Sequence, residues 1–535
     1  MGTSSKGQFE RHARTVTGLT VVSRFFGLAR DATMSRVFGV SPLMDAFAIG
    51  FQIPNLFRRL FGEGALSASF LPTFTREIEQ DVATARFVAW LVISRTMVFL
   101  SALVLVAELL LIFGVVGGEL DSTGARMIAI MLPYAPMVCG VALIGSMLQV
   151  FGRFGPLAAV PVVLNLLLVA TTLALEPAVL RGTITSEQHV AWVAGSVLLT
   201  GLIQLTWVLV ALRRVLPSGG VADRPRARGL AREVGIKALP MVLGLGVLQL
   251  NTLLDSLIAS WPTLVGPEIP WLGIAYPLPE GSMASLSWAT RLYEFPLGVF
   301  GIAIATAIFP QLAREHGDPS AFTSTLRRGI RMTLFVGLPA SVGLILVREP
   351  LTAVILQGYS FTASDTEWVG FILLGYATAI WAYCLSQVFV RAFYARGETM
   401  TPVRVAIAMV ALNLVLNLIL IWTPLQVAGL AWSTAICAVI QTVVLAFLLH
   451  RRLDGLLDGS ILRGLSTTLV VTVATGVLAG TACTLLAPSN QASNWWYQLV
   501  VLIVVVGVGG TSALVTARLL RMPELGWLLG SRSRS

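Results

Sequence analysis

The chain has 535 residues, of which 56% are hydrophobic and only 12% charged. That is half the ~25% charged fraction usual for a soluble domain, and mean hydropathy is +0.82. These values exclude a soluble enzyme and a disordered chain, and they leave a polytopic helical membrane protein. The net charge of +10 follows from the bias of cytoplasmic loops toward Lys and Arg and needs no nucleic acid.

In chain order, apolar runs of about 20 residues predict fourteen transmembrane helices. They lie near 15–39, 43–72, 87–116, 126–150, 155–175, 189–212, 236–261, 283–311, 331–347, 366–395, 401–422, 426–449, 465–487 and 495–520. Alternate loops hold almost all the Lys and Arg, including the run Arg224, Arg226, Arg228, Arg232 and Lys237. Both termini are therefore expected in the cytoplasm. SFLPTFTRE (69–77) and AIFPQLARE (307–315) each close the second helix of a group of six. QVFGRFGPLAAVPVVLNLL (149–167) and RAFYARGETMTPVRVAIAMVALNLV (391–415) repeat more loosely. An even number of helices per repeat gives both halves one orientation, so two six-helix lobes are expected, with substrate between them.

The expected organisation is a cytoplasmic N-terminus (1–14), an N-lobe (15–215), a basic linker (216–235), a C-lobe (236–452), two added helices (453–521) and a cytoplasmic tail (522–535). Cys139, Cys384, Cys437 and Cys483 sit in apolar runs and read as core residues. Lys6 and Lys237 are the only lysines, and neither completes a phosphate-binding G-x-x-x-x-G-K-[ST] loop.

The first two helices are unusually polar, with Arg24, Arg30, Asp31, Arg36, Asp45, Arg58, Arg59 and Glu63. An arginine at the bilayer centre costs roughly 2.5–3.5 kcal/mol, and several in two helices on the order of 10 kcal/mol. Net folding stability is only ~5–15 kcal/mol. These arginines are therefore expected to line a hydrated cavity or to pair with Asp31, Asp45 and Glu63. Snorkelling at the helix ends competes with that reading, mainly for Arg36, Arg58 and Arg59. Gly27, between Arg24 and Arg30, offers a bend that would aim both at one cavity. The planar guanidinium suits phosphate.

In the second lobe, SWATRLYEFPLGVFG (287–301) sets Arg291 and Glu294 three residues apart on one face, either as a self-contained ion pair or with Arg291 turned to the cavity. Asp255 is a lone carboxylate in an apolar helix, Asn413 and Asn417 are one turn apart, and Ser433 and Thr434 lie in the twelfth helix. Such oxygens suit a hard cation or a proton relay, and equally the interhelical glue of membrane helices.

SRFFGLARDA, DAFAIGFQIPNLFRRLFGEGALSASFLP and RLYEFPLGVFGIAIATAIFPQL resemble the MurJ (MviN) family of bacterial lipid II flippases. The helix plan extends the likeness over essentially the whole chain. The resemblance implies an all-α integral membrane fold of the MATE-like exporter superfamily, with two six-helix lobes and two C-terminal helices whose groove takes the lipid tail. It implies transport without enzymatic chemistry, in the cytoplasmic membrane of a bacterium, with no cofactor required. The implied substrate is lipid II, the undecaprenyl-pyrophosphate-linked peptidoglycan precursor. By the same resemblance Arg24, Arg30, Asp45, Arg58 and Arg291 are the critical residues, with Glu294 as the partner of Arg291. Many members carry Lys where this chain has Gln52 and an acid where it has Thr290. Asp255, Asn413, Asn417 and Ser433 fall where some members hold sodium, which implies sodium or proton coupling. A monomer suffices for the two-lobe design, with cell-wall synthesis machinery as a partner. Another polyprenyl-pyrophosphate oligosaccharide flippase and a cation-coupled multidrug exporter are the alternatives; the arginine-rich helices disfavour the exporter. An enzyme acting on polyprenyl phosphates would need clustered acids that the sequence lacks.

Overall fold

The computed structural model describes residues 3–62, 64–118, 120–217, 219–486 and 494–528. The chain divides into two compact units, Met1–Ala284 and Ser285–Ser535.

The first unit opens with α1 (Thr3–Phe38), one unbroken helix. Next comes α2 (Pro42–Phe57), a π-helical turn at Arg58–Gly62, and α3 (Ala65–Gln80). Then follow α4 (Val82–Val116), α5 (Ser122–Met131), α6 (Tyr134–Val150), α7 (Gly155–Leu180), α8 (Ser186–Arg213) and α9 (Arg224–Leu264). A small antiparallel hairpin, β1 (Glu268–Ile269) with β2 (Ile274–Ala275), leads to α10 (Ser282–Pro296), which runs on into the second unit. A second π turn, Leu297–Gly301, separates α10 from α11 (Ile302–Arg314). The second unit continues with α12 (Pro319–Leu356), α13 (Ala363–Ala377), α14 (Ile380–Ala395), α15 (Met400–Leu420), α16 (Ala428–His450), α17 (Gly459–Leu485), α18 (Trp495–Leu519) and the short α19 (Pro523–Leu528).

Local chemistry sets the helix starts. Asp81, Asp121, Asp223, Asp318, Asp458 and Asn494 cap α4, α5, α9, α12, α17 and α18 by accepting from backbone amides. Thr185 with Gln188 and Thr362 with Asp365 form capping boxes. Hydrogen bonds from Thr84, from the Ala321 amide and from Ser460, respectively the largest causes, hold Asp81, Asp318 and Asp458 below the usual carboxylate range. Their contribution to stability is present above that range and is lost as pH falls through the depressed values.

The interruptions follow the internal repeat. The expected second span, α2–α3, carries a π turn, and so does the expected eighth, α10–α11. The fourth is broken between α5 and α6, and the tenth between α13 and α14. Pro54 in α2 and Pro296 at the end of α10 lack an amide to donate just before each π turn, which favours widening there.

Among the described residues, ten helical stretches are long and apolar enough to cross a membrane. The expected first, second, seventh and eighth spans are not among them. Those four are α1, α2–α3, α9 and α10–α11, and they carry the arginines and Asp255. The ten apolar stretches and the fold identify a multi-pass membrane protein. Apolar side chains left outside, such as Phe99, Leu110 and Phe113 on α4, are what lipid-facing helices present.

Each unit has its own core. In the first, Phe70 and Phe74 of the SFLPTFTRE motif pack with Val88, Leu143, Ile144 and Met147. In the second, Leu312 of the AIFPQLARE motif packs with Phe322, Leu326, Phe389 and Phe393. The α15–α16 corner is so close that a Cβ on Gly429 would lie 2.8 Å from Leu420 Cβ and 2.9 Å from its backbone C and O. We expect Gly429→Ala to cost about 1–3 kcal/mol, read as a lowered midpoint of thermal unfolding in detergent; an unchanged midpoint would contradict this packing.

The segment expected as a cytoplasmic tail (522–535) begins with α19. Glu524 is buried there against Arg331 of α12 at 2.6 Å, and Met522 joins Phe335, Val471 and Ala517.

Candidate functional site

α1 packs along α7. Arg30 points into that seam, donating from Nε and Nη2 to Asp31 Oδ1 at 2.9 and 2.6 Å and from Nη1 to Asn165 Oδ1 at 3.0 Å. Asn165 in turn donates to the Ser23 carbonyl at 3.4 Å. Arg24 is exposed. Six residues turn a helix by 600°, so the two guanidiniums leave α1 about 120° apart. Gly27 does not break the helix, and a Cβ there would make only an ordinary contact with Asn165 Nδ2, at 3.6 Å.

Arg58 begins the first π turn and donates from Nε and Nη2 to Asn55 Oδ1 at 3.0 and 2.8 Å. Gln52 is half-buried on the same helix. Arg36 has a buried Nε with no hydrogen-bond partner among the described residues. Glu63 lies outside the described residues.

Asp45 takes a place different from the expected pairing with arginine. It is fully buried. Its Oδ1 accepts from the Ala284 amide at 2.7 Å, and its Oδ2 from the Gly281 amide at 2.6 Å and the Thr263 hydroxyl at 2.8 Å. The carboxylate thus sits at the first turn of α10, where amides and helix dipole favour negative charge.

In the second unit, Arg291 Nη1 meets Glu294 Oε2 at 3.4 Å, and the two side chains are 38% and 41% exposed. Thr290 beside it is half-buried. Tyr293, on the same turn, stacks on Tyr376 and Tyr383 with ring centres 4.3 and 5.7 Å apart. The sequence pattern gave no sign of this aromatic group, because its members lie on three separate helices.

The candidate cation residues divide between the units. Asp255, on α9 in the first, is buried and accepts from Asn251 Nδ2 at 3.5 Å. In the second, Asn413 Nδ2 donates to Ser433 Oγ at 3.2 Å and Thr434 Oγ1 at 3.3 Å. Asn417 Nδ2 donates to Asn413 Oδ1 at 3.0 Å, and the Ser433 hydroxyl donates to Asn417 Oδ1. These three residues are buried and bond α15 to α16, as interhelical glue would. Their oxygens are also of the class that a sodium ion takes. Among the described residues no three or more His, Cys, Asp or Glu groups gather as metal ligands.

Asn165 and Asn55, which hold Arg30 and Arg58, were not singled out from sequence as site residues. A signal existed for Asn165, a lone amide in an apolar helix at a place that the internal repeat matches with the helix of Asn413. Nothing local marked Thr263 or Gly281 as partners of Asp45, more than 200 residues earlier in the chain.

A family model described as lipid II flippase MurJ matches residues 34–506. A probable lipid II flippase MurJ from Vibrio cholerae serotype O1 is 32% identical over 461 residues, covering 81% of this chain and 82% of the relative. Among solved structures, a lipid II flippase MurJ in an inward closed conformation matches with a TM-score of 0.70 at 22% identity, over 94% of this chain and 99% of that one. An inward-facing multidrug resistance MATE family transporter of the MOP superfamily matches at 0.60 and 14% identity, over 83% of this chain and 98% of that one. These two structural likenesses establish the fold.

Proposed function

The chain belongs to the lipid II flippase MurJ family, and we propose that it carries lipid II from the inner to the outer leaflet of a bacterial cytoplasmic membrane by alternating access. It is a transporter and not an enzyme, and it serves peptidoglycan synthesis. The family match over residues 34–506 carries this reading. The multidrug alternative has only likeness of fold behind it, and fold alone does not set substrate.

In the proposed cycle, fourteen helices span the membrane with both termini in the cytoplasm. Two six-helix lobes, 15–215 and 236–452, alternate around the substrate. Arg24, Arg30, Arg58 and Arg291 receive the pyrophosphate, whose oxygens displace Asp31, Asn165 and Glu294 from the guanidiniums. Asp45 keeps the helix ends around it in place. The lipid tail stays in the bilayer beside α17 and α18, whose outer faces are apolar. An inside-negative potential favours outward movement of anionic charge by ~2.3 kcal/mol per charge per 100 mV, which supplies direction without a nucleotide. Asp255, Asn413, Asn417 and Ser433 would hold a coupling sodium ion. The protein works as a monomer alongside cell-wall synthesis enzymes.

The test is lipid II translocation by purified protein in proteoliposomes, paired with rescue of bacteria depleted of their own flippase. We expect both to succeed, and sodium dependence to weaken in Asn417→Ala. Insertion without translocation of lipid II, together with translocation of another polyprenyl-linked glycan, would move the assignment to that glycan.

A further inference from the structure

The two copies of the repeated motif end differently. In the first unit, α3 ends with Glu77, which is buried and accepts from Arg226 Nη2 of α9 at 2.8 Å; Gln80 accepts from the same nitrogen at 2.8 Å. The Asp223 amide donates to Thr84 Oγ1 at 2.9 Å. The start of α9 and its capping residue thus bond to both the end of α3 and the start of α4.

In the second unit the corresponding elements are the end of α11, the start of α12 and the start of α17. Glu315, the counterpart of Glu77, meets Gln311 and makes no ion pair among the described residues, whereas a buried Oε2 without a hydrogen-bond partner there is common to both glutamates. A cavity of about 340 Å³ is open there, lined by Ser324, Arg327, Arg328, Arg331, Ser460 and Trp527 among others. That volume lies in the range of ligand sites, about 300–1,000 Å³.

Its charges are not balanced. Arg327 pairs with Asp458 at 2.7 Å, yet its Nε is buried with no hydrogen-bond partner among the described residues. Arg331 pairs with Glu524 at 2.6 Å. Arg328 has no acid partner among the described residues, and its guanidinium is held 4.8 Å over the Trp527 ring. The described lining holds three arginines and no acid; Asp458, Glu524 and Glu315 stand behind it, the Ser324 hydroxyl lies beside the arginines, and that of Ser460 already donates to Asp458. That donor set suits a phosphate.

One observation favours a lipid phosphate over a free one. Leu462, Leu469 and Val473, on the face of α17 opposite Ser460, are exposed and apolar, so the helix that walls the cavity also presents a lipid-facing surface. We propose that this cavity binds the phosphate of an anionic phospholipid, tying α12, α17 and α19 to the leaflet. The topology proposed above enters only in making that leaflet the cytoplasmic one.

The test uses purified full-length protein stripped of lipid and then offered phosphatidylglycerol or phosphatidylcholine, with bound lipid counted by native mass spectrometry. Wild type is expected to retain phosphatidylglycerol selectively. Arg328→Gln weakens retention about fivefold, in line with one basic residue at a membrane surface. Ser324→Glu, at an exposed position outside every ion pair, weakens it as much or more by adding a negative charge to the wall. Arg214→Gln, an exposed arginine of the first unit, leaves it unchanged. Equal retention of the two lipids, or full retention in both cavity variants, overturns the proposal. So does complete displacement of phosphatidylglycerol by millimolar inorganic phosphate or by lipid II, which would assign the cavity to a free anion or to the transported substrate.

Discussion

Replacing Arg291 with alanine will lower lipid II translocation about thirtyfold at matched membrane abundance. The side chain is 38% exposed, and its contact with Glu294, at 3.4 Å, is longer than the roughly 2.7–2.9 Å of a strong charge-assisted hydrogen bond. Exposed pairs of this kind contribute only ~0–1 kcal/mol to stability, so the variant folds and inserts. A guanidinium contact to a charged oxygen is worth about 1.5–3 kcal/mol, which is a factor of roughly ten to more than a hundred in binding. Arg291→Lys keeps the charge but not the planar fork, so it falls between alanine and wild type. Glu294→Gln leaves the guanidinium in place and costs little. Flux in proteoliposomes separates these cases. Wild-type flux in Arg291→Ala would remove this residue from the substrate path and leave the family assignment standing.

Arg30 will behave less cleanly, and the reason bears on what a sequence reveals. Periodicity and charge were enough to place the polar helices and the helix order, because an arginine is costly in an ordinary spanning helix. Among the described residues, α1, α2–α3 and α10–α11, which bear Arg24, Arg30, Arg58 and Arg291, are not among the ten long apolar stretches. What each arginine touches depends on partners distant in the chain. Asn165 lies 135 residues from Arg30, and nothing in the SRFFGLARD text indicates that one fork of its guanidinium is already bound to an amide. The same limit applies to the cation residues. Spacing placed Asn413 above Asn417 on one helix face, but their closed network with Ser433 depends on how α15 meets α16. The π turns were also not legible. Pro54 and Pro296 advertise a missing amide, but a proline alone does not distinguish a kink from a widened turn.

Asp45→Ala will fail by a different route from Arg291→Ala, through loss of the folded protein and not through loss of substrate contact. Its carboxylate is the acceptor for two buried backbone amides, of Gly281 and Ala284, and for the Thr263 hydroxyl. Leaving a buried donor unsatisfied costs about 1–3 kcal/mol, so losing the acceptor for three reaches several kcal/mol. The local backbone has little freedom to compensate. Gly281 has φ +86°, and a Cβ there would lie 2.6 Å from Val40 Cγ1. Asp45→Asn separates the two explanations. Its single carbonyl oxygen can serve Ala284 or the Gly281–Thr263 pair, while its amide nitrogen must face the donors left over, so it too is expected to be destabilised. Asp45→Glu retains the charge but adds a methylene to a fully buried site, where overpacking costs about 1–3 kcal/mol. Membrane abundance and the thermal midpoint in detergent are therefore expected to fall in all three variants, with transport per folded molecule largely retained in those that can be recovered. If Asp45→Asn keeps wild-type abundance and midpoint but loses transport, the carboxylate acts on the substrate or on the conformational cycle, and its place as a clamp within the first unit describes only one state of that cycle.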